Sequence, residues 1–306
     1  MTVTGTGTPR VDPPRVLAQL TLVQARRFAT HPLFLVGAVL AAVGLVQGLL
    51  AGPDLWRPQN LVLATALWLG LPSVVVGYRL TITEEAASPL LPSTPVPATS
   101  RTLALCGACL VPALAGALLL VGTIAATVAW QPSADLLPAG IEGATTGGSL
   151  DLPAYLTAVG WAGAIAHWTE GFVAAPFGGA ALGVAAARWW RLPGGGVIVA
   201  VGLGLLVLVV NAAAENVPGV GHTWPARLAV TVSPFVLWET QAGDIVTGVR
   251  AGSPLGHLSY AMCLSGLAVW AALAKDTSSP HRVLGRRVGL ALAIAAALTA
   301  TWALLG

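Results

Sequence analysis

Charged residues are scarce in this sequence. Only 9% of the 306 residues are Asp, Glu, Lys or Arg, whereas 56% are hydrophobic and the mean hydropathy is +0.79. Soluble domains carry about 25% charged residues, because polar groups must cover their surface. A soluble enzyme, a nucleic-acid-binding protein and a disordered chain are therefore excluded, and an integral membrane protein is predicted. The net charge of +3 then belongs to loops that orient the chain in the membrane.

Lysine is nearly absent, since Lys275 stands alone against fourteen arginines. A conventional P-loop (G-x-x-x-x-G-K-[ST]) requires a lysine that reaches the nucleotide phosphates. Lys275 lies in the segment Leu-Ala-Lys-Asp-Thr, with no glycine before it and Asp276 after it. We therefore expect no ATP site on this chain, and any ATP hydrolysis must come from another chain.

Cysteine is also rare, and all three copies lie in apolar runs: Cys106, Cys109 and Cys263. The first two form a C-x-x-C pattern, but a redox or metal site needs further ligands, such as a histidine or a second cysteine pair. We interpret them as small packing residues on a membrane helix. No catalytic residue, metal or cofactor is predicted for the chain.

Long uncharged apolar runs are abundant, and about 20 helical residues cross the hydrocarbon layer. They predict an all-α, polytopic helix bundle of six to seven spans, with seven favoured. Residues 1–14 are polar, without a signal peptide, and are expected to be a disordered tail ahead of a single transmembrane domain, 15–306. The predicted spans are 33–51, 59–78, 103–130, 169–187, 194–214, 255–274 and 288–305.

The region 155–187 decides the orientation, because each additional crossing inverts everything after it. With a single crossing and a cytoplasmic N-terminus, twelve basic residues lie inside and three outside. The positive-inside rule favours this arrangement. We therefore predict that 155–168 is interfacial or re-entrant on the outer side, where the long segments 131–154 and 215–254 also lie. The inside set is Arg10, Arg15, Arg26, Arg27, Arg79, Arg101, Arg188, Arg191, Lys275, Arg282, Arg286 and Arg287.

Two segments beside the first spans are candidate cytoplasmic surface elements. Residues 15–31 predict an amphipathic helix on the membrane surface, with Val16, Leu20 and Val23 on one face; an N-terminal extension of the first span is the alternative. Residues 79–102 predict a loop with an acidic pair, Glu84-Glu85, and four prolines. Thr83 is expected to cap a short helical turn there. The loop is either a stiff docking element or a plain connector.

Ionisable residues inside spans are functional candidates by default. His167 and Glu170 are one turn apart, at the predicted water-accessible outer edge of the fourth span. They either have an interfacial role or belong to a substrate path or outer gate. An intramembrane protease with paired glutamates and two histidines is the least favoured reading, because Glu84 is predicted a membrane thickness away from His167 and His257.

Two motifs carry a resemblance to a known family. The first is Arg-Arg-Phe-x-x-His-Pro-Leu-Phe-Leu at 26–35, which enters the first span. The second runs from Glu85 to Ala104 and reads Glu-x-x-x-Pro-Leu-Leu-Pro-Ser-Thr-Pro-Val-x-x-x-x-Arg-x-Leu-Ala. Together with the hairpin of spans one and two, they resemble the permease subunit of type-2 ATP-binding-cassette (ABC) exporters, of the compact actinobacterial kind. Ala87-Ser88 departs from the family's Gly-Thr pair, and the family commonly has six spans.

The resemblance implies a multi-pass, non-catalytic subunit of the plasma membrane that dimerises with a second copy or a sister permease. A separate P-loop ATPase subunit would supply ATP hydrolysis and drive export. A membrane scaffold or anchor and an ion-coupled transporter remain alternatives. Besides these chains and the lipid bilayer, no nucleic acid is expected as a partner. The implied ATPase-coupling residues are Arg26, Arg27, Glu84, Glu85, Leu90, Leu91, Ser93, Pro95 and Arg101.

Overall fold

A computed structural model describes residues 13–52, 58–87, 96–130, 152–215, 253–276 and 282–305. Within these ranges the secondary structure is entirely helical. Six helices are long and apolar enough to cross a membrane, and Gly195–Leu206 forms a shorter apolar helix. The predicted all-α, multi-pass membrane bundle is confirmed. The predicted tail, the outer segments 131–151 and 216–252, and residues 88–95 lie outside the described residues.

Eleven α-helices and two π-helical turns make up the described part of the chain. The π turns, Ala66–Gly70 and Glu170–Ala174, join α3 to α4 and α7 to α8 without a break in the chain of helical residues. The helices are α1 (Pro13–Ala29), α2 (Pro32–Ala51), α3 (Pro58–Thr65), α4 (Leu71–Ala87), α5 (Ala98–Ala108), α6 (Leu110–Ala129), α7 (Leu152–Thr169), α8 (Ala175–Trp189), α9 (Gly195–Glu215), α10 (Pro254–Ala274) and α11 (Arg282–Leu305).

One end of the bundle collects basic side chains from most of the helices, and we call it the basic end. The C-terminal ends of α4, α8 and α10 meet there, together with α1 and the starts of α5, α9 and α11. This is the grouping of segments that the positive-inside rule assigns to the cytoplasm. The cations at the basic end include Arg26, Arg27, Arg79, Arg101, Arg188, Arg191, Lys275, Arg286 and Arg287.

The α4–α8 pair forms the tightly packed centre of the bundle. A Cβ on Gly183 would lie 2.1 Å from the Val74 carbonyl oxygen, and one on Gly77 would lie 2.5 Å from the Ala180 carbonyl oxygen. Gly179 approaches the carbonyl oxygen of Gly70 in the same way, at 2.8 Å. The sequence Gly179-x-x-x-Gly183 therefore does permit close helix packing, because small residues let two backbones come together in a membrane bundle.

The α10–α11 hairpin lies at the periphery. The indole N–H of Trp270 donates a 2.7 Å hydrogen bond to the Gly285 carbonyl oxygen near the basic end. At the far end, a Cβ on Gly256 would lie 2.7 Å from the backbone nitrogen of Ala303. The two helices are thus antiparallel over their full length.

The path of α9 bears on whether there are six or seven crossings. The α8–α9 turn and the C-terminal end of α10 both lie at the basic end, and α10 is a 21-residue helix. Such a helix is about 30 Å long, so α10 begins at the far end. The chain must therefore pass from the basic end to the far end between 195 and 253, and α9, 21 residues long, is the described helix that leaves in that direction. This geometry favours seven crossings.

The fourth span differs from its predicted bounds. The prediction begins it at Thr169, whereas the structure has an unbroken helical stretch, Gly160–Trp189, of 30 residues. The break comes at Gly160, whose φ of +69° is in the left-handed region that favours glycine. Gly171 and Pro176 do not interrupt this stretch, because they lie in the π turn and in the first turn of α8, where proline is tolerated.

Candidate coupling site at the basic end

Helix α1 is anchored to the bundle by one narrow face. Phe28 is fully buried and packs edge-to-face on Phe34 of α2, with ring centroids 5.4 Å apart. Gln24 is also buried, and Thr21 contacts Gly107 of α5. These positions are three or four residues apart, so they share a helix face. The face predicted to be apolar is different: Val23 is 55% exposed, and lies on the side of α1 turned away from the bundle.

Glu84 ties α4 to α1. Its Oε2 accepts a 2.8 Å hydrogen bond from Gln24 Nε2 and lies 3.6 Å from Arg27 Nη1. Arg27 also donates to Gln24 Oε1 and to Thr83 Oγ1, both at 3.2 Å. A carboxylate, an amide and a guanidinium from two helices thus form one hydrogen-bonded group.

Glu85 ties α4 to α8 through two arginines. Arg188 donates from Nη1 to Glu85 Oε1, and Arg191 Nε lies 2.8 Å from Glu85 Oε2. The Arg188 side chain is 11% exposed, whereas that of Arg191 is 60% exposed. The Glu85–Arg188 pair is therefore shielded from water and the Glu85–Arg191 pair is half open to it.

Asp276 brings α10 and α5 into the same group. Its Oδ1 accepts from Arg188 Nη2, and its Oδ2 accepts from Thr102 Oγ1 at the start of α5. The neighbouring Lys275 donates to the Arg188 carbonyl oxygen. Arg188 is the centre of this second group, which meets the Gln24–Arg27 group on α4 because Glu84 and Glu85 are adjacent residues. We call the two groups together the charge network, which comprises Gln24, Arg27, Glu84, Glu85, Thr102, Arg188, Arg191 and Asp276.

Arg188 contributes most of the stabilisation that the charge network provides. Surface ion pairs contribute about 0–1 kcal/mol, but removing one partner of a buried pair costs about 3–5 kcal/mol, because the other charge is left in a poorly hydrated site. Arg188 is mostly buried and faces two carboxylates, which are also mostly buried. The ends of α4, α8 and α10 are therefore held in one arrangement at the basic end.

The acidic pair does not lie in a loop, which corrects the prediction for 79–102. Helix α4 continues to Ala87 and α5 begins at Ala98, because the stretch Thr-Ile-Thr-Glu-Glu-Ala-Ala contains no proline or glycine to stop a helix. Thr83 is not a cap, since its hydroxyl group bonds the carbonyl oxygens of Arg79 and Leu80 within α4. Both glutamates point into the protein and have partners in the chain.

The remaining predicted coupling residues have different positions. Arg26 is exposed on α1, and Arg101 of α5 lines a cavity of about 230 Å³ together with Glu84, Glu85 and Arg188. Leu90, Leu91, Ser93 and Pro95 lie outside the described residues. The charge network also contains residues that the sequence did not single out: Gln24, Thr102, Arg188, Arg191 and Asp276. For Arg188, Arg191 and Asp276, the position of a charged group at the end of an apolar helix was the available signal.

Tyr78 fixes the turn between α8 and α9 to α4. Its hydroxyl oxygen lies 2.6 Å from the Trp190 carbonyl oxygen and 2.8 Å from that of Leu192, and accepts the Leu192 N–H at 3.0 Å. A Cβ on Gly195 would lie 2.2 Å from that hydroxyl oxygen. The start of α9 is therefore in direct contact with α4.

His31 caps helix α2 beside this turn. Its Nδ1 accepts a 3.3 Å hydrogen bond from the Leu33 N–H. Burial lowers the pKa of His31 below its ordinary value of 6.5, and the nearby Arg79 guanidinium lowers it further. The neutral imidazole is therefore the form that suits this site, because only a deprotonated Nδ1 can accept the capping hydrogen bond.

At the far end, His167 and Glu170 are both buried, with 5% and 2% of their surface exposed. The expectation that water reaches them at an open edge is wrong for this fold. Glu170 opens the π turn, and close packing surrounds that turn: a Cβ on Gly171 would lie 2.3 Å from Val62 Cγ1, and one on Gly116 would lie 1.6 Å from the Phe172 carbonyl oxygen. Both residues do lie near the far end of the span, as predicted, because Glu170 is about 27 Å along the helix from Arg188 at the basic end.

The histidines and the paired glutamates lie at opposite ends of the bundle. His167 is 21 residues before Arg188 on the same helical stretch, or about 30 Å away, and Arg188 contacts Glu85. His257 lies at the far end as well, in the first turn of α10. The intramembrane-protease hypothesis requires these groups to hold one water molecule between them, and at this separation they cannot.

No metal-binding cluster of three His, Cys, Asp or Glu side chains occurs within the ranges that the structure describes. Cys106 and Cys109 are buried in an apolar cluster with Phe28, Phe34 and Leu105, in agreement with a packing role. No family model, no curated protein and no solved structure matches this chain.

Proposed function

We propose that this chain is the permease subunit of an ABC exporter of the plasma membrane, driven by a separate P-loop ATPase. The charge network is the observation that carries the proposal. It joins α1, which lies outside the bundle core, to the ends of α4, α5, α8 and α10. A displacement of α1 by a partner would thus reach four membrane helices together, which is what a subunit driven from one side of the membrane requires.

The contacts indicate two different roles for the predicted coupling residues. Glu84, Glu85 and Arg27 have partners within the chain and would transmit the displacement. The outward face of α1, with exposed Leu22 and Arg26, is available to a partner at the same end. Leu90, Leu91, Ser93 and Pro95 belong to the connection between α4 and α5, and we place them with this contact surface together with Arg101.

The exporter would work as a dimer, with a second copy or a sister permease. Peripheral helices α2 and α11 carry many exposed apolar side chains, which either lipid or a second permease can cover. Export would then use a path between the two permeases, and His167 and Glu170, which are buried at the far end of each chain, would belong to its outer gate. Buried ionisable residues beside a π turn are common at functional positions in membrane helices.

Co-purification tests the proposal. The full-length chain, expressed in its native host with an affinity tag, should retain a P-loop ATPase and should show ATPase activity only in that complex. Arg26→Glu should weaken the association by about tenfold, since one charge-assisted contact is worth about 1.5–3 kcal/mol. Arg286→Glu is the matched control, because Arg286 is also an exposed arginine at the basic end but belongs to α11.

The alternatives give different results. A scaffold or anchor would purify with proteins other than an ATPase, and an ion-coupled transporter would move its substrate in vesicles under an ion gradient without ATP. Consistent absence of an ATPase from the purified material would overturn the proposal. If Arg26→Glu and Arg286→Glu behave alike while the ATPase is bound, the outward face of α1 is not the contact.

A further inference from the structure

A second cavity at the basic end lies on the other side of Arg27 from the cavity beside Glu85. It has a volume of about 510 Å³ and lies between the α1–α2 junction, α4 and the α8–α9 turn. It shares no lining residue with the cavity beside Glu85. Its size is within the range of about 300–1,000 Å³ that is usual for small-molecule sites.

The charge of this cavity is positive. Arg27, His31 and Arg79 line it, and none of its lining residues is acidic. Arg27 is offset by Glu84 at 3.6 Å, but no carboxylate in the described part of the chain forms an ion pair with Arg79. An exposed guanidinium in a pocket without a counter-charge favours an anionic ligand, and its planar fork suits a phosphate group.

Apolar side chains on both sides of Arg79 along α4, and one from α9, complete the lining of the cavity. Val75 and Ile82 of α4 and Val197 of α9 line it. Val197 leads to a strip of α9 that remains exposed along the helix, formed by Val197, Ile198 and Val201. A ligand that fits both the cationic and the apolar residues of this lining has an anionic head and an apolar body.

The depth of the cavity matches the headgroup layer of a membrane. The apolar helices α2 and α9 both begin at its rim, at Pro32 and Gly195, and Trp189 and Trp190 are exposed beside it. Tryptophan is enriched at this depth, because its amphipathic ring suits the interface. Basic pockets between membrane helices on the cytoplasmic side are a known means of holding anionic lipid heads.

We infer that this cavity binds the phosphate head of one anionic phospholipid, with Arg79 as its principal ligand and the acyl chains along Val197 and the exposed strip of α9. The inference needs only the membrane-spanning fold, not the proposed export activity. A lipid held there contacts α1, α4 and α9 together, so the composition of the inner leaflet acts directly on the element that we propose receives a partner.

Native mass spectrometry of the purified full-length chain provides the test. The protein in mild detergent is titrated with phosphatidylglycerol or with phosphatidylcholine of the same acyl chains. We expect one phosphatidylglycerol per chain to bind at least about tenfold more tightly than phosphatidylcholine. Both lipids carry a phosphate group, but the choline ammonium makes phosphatidylcholine neutral overall and would lie close to the cations of the cavity, which contains no carboxylate to receive it. Arg79→Gln should remove this preference, and Arg286→Gln, an exposed arginine of α11 outside the cavity, should keep it.

A second variant and a competition experiment complete the test. Val197→Trp fills the apolar part of the cavity without a change of charge, and should lower the affinity for both lipids; it decides the question if Arg79→Gln fails to fold. Inorganic phosphate at concentrations matched to the lipid should leave phosphatidylglycerol bound. The inference is overturned by equal affinity for the two lipids, by unchanged binding in Arg79→Gln or Val197→Trp, or by displacement with inorganic phosphate, which would indicate a site for free anions.

Discussion

The centre and the periphery of this bundle show that hydropathy and burial diverge in a membrane protein. The stretch Gly160–Trp189, rich in glycine and alanine, is less apolar than α2, yet 83% of its most apolar 18 residues are buried, against 17% for α2. Lipid solvates the Leu- and Val-rich surface of α2 as well as protein would. Close backbone contact, which small residues allow, decides which helices become central.

Small residues, then, specify the centre of the bundle, and charge pairs fix its basic end. The two kinds of contact differ in what can break them. Backbone packing fails when volume is added, whereas the charge network fails when a partner is removed. Substitutions of single residues distinguish backbone packing from charge pairing, and they are given from the largest expected effect to the smallest.

Gly183→Leu should have the largest effect. A Cβ at position 183 would already lie 2.1 Å from the Val74 carbonyl oxygen, and backbone cannot move aside as a flexible side chain can. We expect the α4–α8 contact to be lost and the variant to yield little or no monodisperse protein, with a cost above about 3 kcal/mol. Gly202→Leu on α9 is the control, because nothing lies within 4 Å of its Cβ position. Size-exclusion profiles of the two variants measure the difference, and equal profiles would contradict the packing argument.

Arg188→Met should have the next largest effect. It leaves Glu85 and Asp276 without their buried cation, which should lower the free energy of unfolding by about 3–5 kcal/mol. Arg191→Met is matched to it, since Arg191 also pairs with Glu85 but its side chain is 60% exposed; its cost should be about 0–1 kcal/mol. Thermal unfolding in detergent at neutral pH compares the two, and a similar loss for both would show that burial of Arg188 is not what matters.

The smallest effect should be that of pH on His31. Because its folded-state pKa lies below 6.5, the unfolded chain binds a proton first as the pH falls. The stability that His31 contributes is therefore complete above about pH 7, falls through pH 6.5 and is lost once the pH passes the folded-state pKa. His31→Asn keeps a capping side chain and removes the titration. The pH profile of the unfolding midpoint should be flatter for His31→Asn than for the natural chain between pH 7 and 5, and parallel profiles would contradict this.

How far the sequence predicts this structure depends on whether a feature is local. The helices follow from apolar runs and helix-breaking residues, and the grouping of one set of helix ends follows from the basic residues around them. Arg188 shows where such reasoning stops: its partners Glu85 and Asp276 are 103 and 88 positions away in the sequence. Only the packing of α4, α8 and α10 brings these three charges together, and no pattern along one helix encodes that choice.

The candidate site was predicted in part for the same reason. Glu84 and Glu85 were singled out as an adjacent acidic pair, but their surroundings were predicted as a loop surface instead of a helix end. Val23 and Gln24 show a different limit on α1. A moderate apolar pattern does not say whether a face meets lipid, protein or water, and here buried Gln24 holds the helix to its neighbour.

The two π turns determine which faces of α4 and α8 are turned toward each other. A π turn takes up one residue more than the α-helix would, and one residue corresponds to a rotation of about 100°. The turns at 66–70 and 170–174 stand beside each other, where Ala66 and Ala175 touch, and each precedes the glycine face that its helix offers to the other. If the same residues adopted regular α-helical geometry with none removed, everything after the turn would rotate by about 100° and Gly77 or Gly183 would face away from its neighbour. Deletion of a single residue from the π turn would restore α-helical geometry and keep the two faces aligned. The irregularity is what aligns the two faces, so the least regular turns in the bundle set the register of its tightest contact.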